Sequence, residues 1–88
     1  NEIDYLTLQN ATFRLVHYLL QQIPADQQDE NVVEIKLNTS KSIIASRLSI
    51  QPETFSRILK NLTKKELISV KGKTITLMDV EQLQDLVV

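Results

Sequence analysis

The sequence lacks the residues on which most enzyme and metal sites depend. Among 88 residues there is no cysteine, one histidine and one glycine. Without cysteine there are no disulfides, thiolate metal sites, iron–sulfur clusters or cysteine nucleophiles, and one histidine is too few for the usual zinc sites. A single glycine, Gly72, excludes both the dinucleotide motif G-x-G-x-x-G and the Walker-type phosphate loop. We therefore expect no enzymatic activity, no catalytic residue, no metal and no cofactor in this domain.

Long apolar runs are also missing. No run approaches the ~20 residues that a membrane-spanning helix needs, so we expect neither a transmembrane protein nor a membrane partner. The composition, 42% hydrophobic and 24% charged, is typical of a globular domain, and the length suits one domain. Because the chain begins at Asn1 rather than at a methionine, we interpret it as a piece of a longer protein.

Charge is segregated along the chain although the total is −1. Between Lys36 and Lys73, nine lysines and arginines are opposed only by Glu53 and Glu66, a net charge of +7. In the remaining residues Arg14 is opposed by nine acidic residues, a net charge of −8. A basic segment between acidic flanks is compatible with a nucleic-acid-binding face and equally with a solvated polar surface.

Hydrophobic spacing and capping residues predict the secondary structure. Period 3.6 indicates helices and alternation indicates strands. Thr7, Ser40 and Asp79 are predicted helix N-caps, and Pro52 is predicted at the first position of a helix. The elements are helix 8–23, strand 33–37, helix 40–48, helix 52–65, a hairpin over 68–77 that turns at Gly72, and a short helix after Asp79. Two helices followed by a hairpin predict a winged helix-turn-helix, a mainly α fold with a small β-hairpin wing (α+β).

The helix predicted over 52–65 has two faces of opposite character. At about 100° per residue, an apolar stripe faces one side and charged or small polar side chains face the other. Such polar side chains contact base edges and phosphates in the DNA major groove. Glu53 and Arg57, one turn apart, are equally able to form only a surface ion pair. The stripe is Phe55, Ile58, Leu59 and Leu62, and the polar face is Glu53, Arg57, Lys60 and Lys64, with Ser56 and Asn61 beside it.

Three classes of function are considered for the charged helix face and the basic hairpin. The upstream helix, the proline-started second helix and the basic hairpin favour binding to double-stranded DNA over a merely solvated face. The alternative is a winged-helix protein–protein interaction module that uses the same surface on an acidic partner. A hydrolase is least favoured, because the only histidine, His17, lies at a helix edge and far along the chain from any polar cluster.

Three stretches, 40–48, 52–60 and 67–75, resemble the C-terminal DNA-binding domain of the catabolite activator / fumarate–nitrate regulator (Crp/Fnr) family of bacterial transcription regulators. The most specific signals are Glu-Thr-x-Ser-Arg from Glu53 and Ile-x-Val-Lys-Gly-Lys from Ile68. The resemblance implies sequence-specific DNA binding by a cytoplasmic activator or repressor, with 52–65 as recognition helix in the major groove. It also implies a helix-turn-helix over about 40–65, a wing over about 67–78, and 1–7 as the end of a dimerisation helix and hinge before a domain at 8–88.

The same resemblance implies roles for individual side chains. Glu53 would accept a hydrogen bond from a cytosine N4 amine, and Arg57 would donate to guanine O6 and N7. Ser56 is the third base-contacting position, and members with Glu-x-x-Ser-Arg read TTGAT-like half-sites. Phosphate contacts, which set register without reading sequence, are implied for Ser40, Ser42, Thr54, Lys60, Lys71 and Lys73.

The resemblance further implies partners and two local departures. Family members dimerise through a long helix, which would precede Asn1 here, so the full-length protein is expected to be a homodimer, with RNA polymerase as a candidate partner. Ser49 stands where the turn of the family usually has glycine, and Gln51 where serine or threonine usually caps the recognition helix. Because a positive φ costs a non-glycine residue roughly 1 kcal/mol, we expect a less regular turn at Ser49 and a looser helix start at Gln51.

Overall fold

The computed structural model describes the backbone of residues 2–87 and the side chains of residues 9–87. Asn1 and the side chains of 2–8, part of the predicted hinge segment 1–7, lie outside the described residues. The elements are α1 Glu2–Gln21, a 3₁₀ turn Ala25–Gln27, β1 Val33–Lys36, α2 Lys41–Arg47, α3 Pro52–Lys64, β2 Ile68–Lys71, β3 Thr74–Leu77 and α4 Val80–Leu86.

Helix α1 is longer at its N-terminus than the predicted helix 8–23. It begins at Glu2 and ends at Gln21, so Thr7 lies inside the helix and the predicted N-cap at Thr7 is wrong. Residues 2–7 contain neither proline nor glycine, and nothing in them stops a helix. A capping residue therefore marks a helix start only when the preceding residues do not continue the helix.

The predicted hairpin is part of a three-stranded antiparallel sheet in the order β1-β3-β2. Central strand β3 places Ile75 opposite Ile35 on β1 and opposite Val70 on β2. The Leu37 amide donates to the Lys73 carbonyl at 2.7 Å, which extends the pairing past the end of β1. The first predicted strand is thus confirmed, and its pairing with the far strand of the hairpin ties the wing to the rest of the domain.

A single hydrophobic core joins the helices to one face of the sheet. Helix α3 contributes Phe55, Ile58, Leu59 and Leu62, as its apolar stripe predicts. Among the residues described, no polar or charged side chain is buried. No helix in the described part of the chain is long and apolar enough to cross a membrane. The largest fully buried side chains are Leu15, Val16, Leu19, Val33, Ile44, Ile58, Ile68, Ile75, Leu77 and Leu83.

Two segments 48 residues apart cap helix α4 together. The predicted N-cap Asp79 is confirmed, since its Oδ1 accepts from the Gln82 amide at 3.1 Å. Asn31 adds a second cap, because its Oδ1 accepts from the Glu81 amide at 2.9 Å and its carbonyl from the Val80 amide at 2.9 Å. These bonds join the segment just before β1, which contains Asn31, to the start of α4. At the other end of α4, Leu86 is 45% exposed and does not join the core.

Candidate nucleic-acid interface

The turn between α2 and α3 is regular. Helix α2 is capped by Ser40, whose Oγ accepts from the Ile43 amide at 3.3 Å, and it ends in a Schellman motif. In that motif the Ile50 amide donates to the Ala45 carbonyl at 2.8 Å and the Ser49 amide to the Ser46 carbonyl at 3.1 Å. Ser49 has φ 57°, in the left-handed region. The expected irregularity is therefore wrong, because the two hydrogen bonds and the buried side chain of Ile50 hold the serine in the conformation that glycine prefers.

The start of α3 depends on its backbone rather than on a side-chain cap. Pro52 occupies the first turn, as predicted, and its fixed φ suits a helix start. Gln51 is the N-cap residue and makes no side-chain capping hydrogen bond. The Gln51 carbonyl accepts from the Phe55 amide at 2.8 Å. The side-chain cap is thus absent, as the departure at Gln51 predicts, while the helix geometry is retained.

The outer face of α3 forms one wall of an open groove of about 960 Å³. The three predicted base-contacting residues, Glu53, Ser56 and Arg57, are all exposed and all line this groove. Among the described side chains, Glu53 and Arg57 have neither a hydrogen bond nor an ion pair with another residue. Their polar atoms are therefore available to a ligand, and the ion pair considered from the sequence does not form.

The groove also brings together residues that are far apart in the sequence. Lys60 lines it, as do Lys64, one turn further along α3, and Lys41 at the start of α2. Lys64 has a sequence signal, because it lies four residues after Lys60 on the same face. Lys41 has none, since only the packing of α2 against α3 places it there. Of the predicted phosphate contacts, Ser40 and Ser42 are exposed at the start of α2.

Thr54 lies on the other side of α3. It is half-buried and lines a second, smaller hollow of about 460 Å³ between α1 and the start of α3. Arg14, Ser49 and Gln51 line the same hollow. The residues predicted to contact phosphate therefore lie on both sides of α3.

The wing carries its charges at the hairpin tip. Lys71 and Lys73 are exposed on either side of Gly72, which has φ 58° and no neighbouring atom within 4 Å of an added Cβ. Strand register places Lys36 on β1 and Lys71 on β2 opposite the same residue of β3, Thr74. Sequence reasoning missed the association of Lys36 with the wing, although alternation along β1 points its side chain outward.

The lone histidine lies away from this surface. His17 is exposed on α1 and stacks on Phe13 with ring centroids 6.1 Å apart. In the part of the chain that the structure describes, no group of three or more His, Asp or Glu side chains is placed to hold a metal ion.

Known proteins are similar to this chain in sequence and in fold. Residues 13–86 match the model of the Crp-like helix-turn-helix domain. A probable transcriptional regulator, Flp, of Lacticaseibacillus casei is 35% identical over 84 residues, which are 96% of this chain and 36% of that protein. The fumarate and nitrate reduction regulatory protein of Vibrio cholerae is 33% identical over 82 residues, 92% of this chain and 33% of that protein. The chain thus spans about a third of the length of these curated relatives.

Among solved structures, the crystal structure of DNR from Pseudomonas aeruginosa superposes with a TM-score of 0.80 and 41% identity, over 97% of this chain and 37% of that one. The CO-dependent transcription factor CooA from Carboxydothermus hydrogenoformans, at 23% identity and a TM-score of 0.74, shares the fold over 96% of this chain and 42% of that one. The described helices and strands are those of a winged helix. The chain therefore belongs to the Crp-like helix-turn-helix family, the non-enzymatic DNA-binding domains of Crp/Fnr transcription regulators.

Proposed function

We propose that the chain reads a TTGAT-like half-site of double-stranded DNA, with α3 in the major groove. The observation that carries this proposal is the outer face of α3, where Glu53, Ser56 and Arg57 are exposed together along one groove. The opposite face is held by four buried side chains, so the polar face is presented by a rigid element. A rigid helix that presents carboxylate, hydroxyl and guanidinium groups suits direct readout of base edges.

Each exposed side chain receives a chemical role in this proposal. Arg57 donates two hydrogen bonds to O6 and N7 of a guanine, and Glu53 accepts from the N4 amine of a cytosine. Ser56, one residue before Arg57, contacts a neighbouring base. The phosphate contacts, which set orientation rather than sequence, are assigned to Ser40, Ser42, Thr54, Lys60, Lys71 and Lys73.

The full-length protein is proposed to act as a homodimer in the bacterial cytoplasm. Residues 1–7 would be the end of a dimerisation helix and hinge, and 8–88 the DNA-binding domain. Support comes from relatives about three times as long as this chain, while α1 runs without a break from Glu2 to Gln21 across the proposed boundary. RNA polymerase is a candidate protein partner of that dimer.

The experiment compares two arginine variants of the 88-residue chain. Affinity is measured for a duplex that contains a TTGAT-like half-site and for a scrambled duplex, at fixed salt. Arg57→Ala should cost about 1–3 kcal/mol on the half-site and reduce the preference over the scrambled duplex by the same amount, because discrimination at one G·C pair is lost. Arg47→Ala is the matched control, because Arg47 is exposed in the last turn of α2 and does not line the groove. It removes the same charge and should lower both affinities slightly and equally.

Two other results would decide against the proposal. An Arg57→Ala chain with an unchanged preference for the half-site would contradict base readout by α3. A binding constant that hardly depends on salt would favour the protein-interaction alternative, because each neutralised phosphate contributes a log–log slope of about −0.9.

A further inference from the structure

Arg14 joins helix α1 to the turn of the helix-turn-helix. Its Nη1 lies 3.4 Å from the Leu48 carbonyl oxygen and 3.5 Å from the Ser49 carbonyl oxygen. These partners are 34 and 35 residues away along the chain. Leu48 is the C-cap residue of α2 and Ser49 follows it, so neither carbonyl accepts a hydrogen bond from within the helix. In the described part of the chain, Arg14 is the only donor that reaches either carbonyl.

The turn that Arg14 contacts contains a backbone conformation that serine disfavours. Ser49 has φ 57°, which glycine adopts freely and an L-residue with a Cβ does not. A cation beside the last carbonyls of a helix is favourable in itself. Because the guanidinium reaches the carbonyls of the two peptide groups that flank the Ser49 Cα, it restrains both groups in the orientation that the left-handed Ser49 requires.

The turn at the C-terminal end of α3 can be compared with the turn at Ser49. Glu66 has φ 60°, and the same two Schellman bonds close its turn, from Glu66 to Thr63 and from Leu67 to Leu62, each at 3.0 Å. Among the described side chains, none donates to the carbonyls of Lys65 or Glu66. The two turns therefore share backbone geometry, and only the turn that precedes the recognition helix is contacted by an arginine from another helix.

We propose that Arg14 is a positioning residue for DNA recognition, which holds Ser49 in the left-handed conformation and thereby sets the angle at which α3 leaves α2. It acts through the turn and does not itself contact phosphate. The proposal rests on the proposed function only in its prediction for DNA affinity. Its prediction for the conformation of the turn is independent of any DNA.

A double-mutant cycle in the 88-residue chain tests this role. Arg14→Ala should weaken half-site binding about five- to tenfold, the scale set by an unfavourable left-handed residue, with little change in salt slope. Ser49→Gly removes the strain, so in that background the loss caused by Arg14→Ala should shrink to about twofold or less. Glu66→Gly is the matched control. It relieves the same strain at a turn that Arg14 does not contact. In the Glu66→Gly chain, Arg14→Ala should therefore still weaken half-site binding about five- to tenfold.

A second readout separates this inference from the proposed function. In the free protein, Arg14→Ala should shift or broaden the NMR amide resonance of Ile50 while leaving that of Leu67 in place, and Ser49→Gly should suppress this effect on Ile50. An equal loss of affinity in the Ser49→Gly and parent backgrounds, accompanied by a fall of about one unit in salt slope, would identify Arg14 as a phosphate contact and overturn the inference. An unaltered Ile50 resonance would also overturn it. If the parent chain shows no half-site preference but the Ile50 effect is seen, the proposed half-site is wrong and the positioning role stands.

Discussion

Helix α3 and the wing both present positive charge, but they are supported in different ways. Helix α3 is anchored by four buried side chains, Phe55, Ile58, Leu59 and Leu62. The wing tip is held by strand pairing, and the space around Gly72 is open. A surface fixed by packing can hold a hydrogen-bond pattern against base edges, whereas long lysine side chains at an open turn suit point contacts with phosphate. On this difference rests the proposal that α3 reads the sequence and that the wing contributes sequence-independent affinity.

The largest expected effect comes from joining two copies of the chain, so that two recognition helices bind one palindromic site. The isolated chain should be monomeric and should bind a half-site weakly. Fusion of a parallel coiled coil ahead of Asn1 should raise affinity for a TTGAT-like pseudo-palindrome by about 10²–10⁴, because the second contact becomes intramolecular. Affinities for full, half and scrambled sites at fixed salt measure this. If the unfused chain binds a half-site as tightly as the fused dimer binds the palindrome, or is itself a stable dimer, dimerisation through a preceding helix is wrong.

Removing the anchor of α3 should have the next largest effect. Phe55 is 3% exposed, and Phe55→Ala should lower the free energy of unfolding by about 3–5 kcal/mol. Because a domain of this size has only about 5–15 kcal/mol of stability, urea denaturation at low temperature is the suitable measurement. Leu86→Ala is a matched control on the 45% exposed Leu86 and should change stability by about 0.5 kcal/mol or less. Equal losses in the two variants would show that α3 is not anchored as described.

Sequence reasoning was most successful where a pattern is local. The faces of α3, the cap at Ser40 and the turn at Gly72 each depend on residues within a few positions of one another, and all three are confirmed. Contacts between distant segments left no local signal. The contact of Arg14 with the turn and the second cap of α4 by Asn31 are examples, because each depends on how whole elements pack.

The smallest effect is expected at the wing. Lys73→Ala should weaken binding to half-site and scrambled DNA alike and reduce the salt slope by about one unit. The reason is that Lys73 is an exposed cation beside the open hairpin turn. Titrations of both duplexes over a range of salt concentrations provide the measurement. A loss confined to the half-site duplex would show that the wing reads bases and would remove the distinction between the two regions.

The most direct test of readout by α3 is a binding-site selection from randomised duplexes with the fused dimer and its Arg57→Ala variant. The parent should enrich palindromes with TTGAT-like arms. The variant should lose its preference at one G·C pair in each arm and keep its preferences elsewhere, because one bidentate arginine contact specifies one guanine. The same preferences at every base pair in both selections would contradict the assignment of sequence readout to α3.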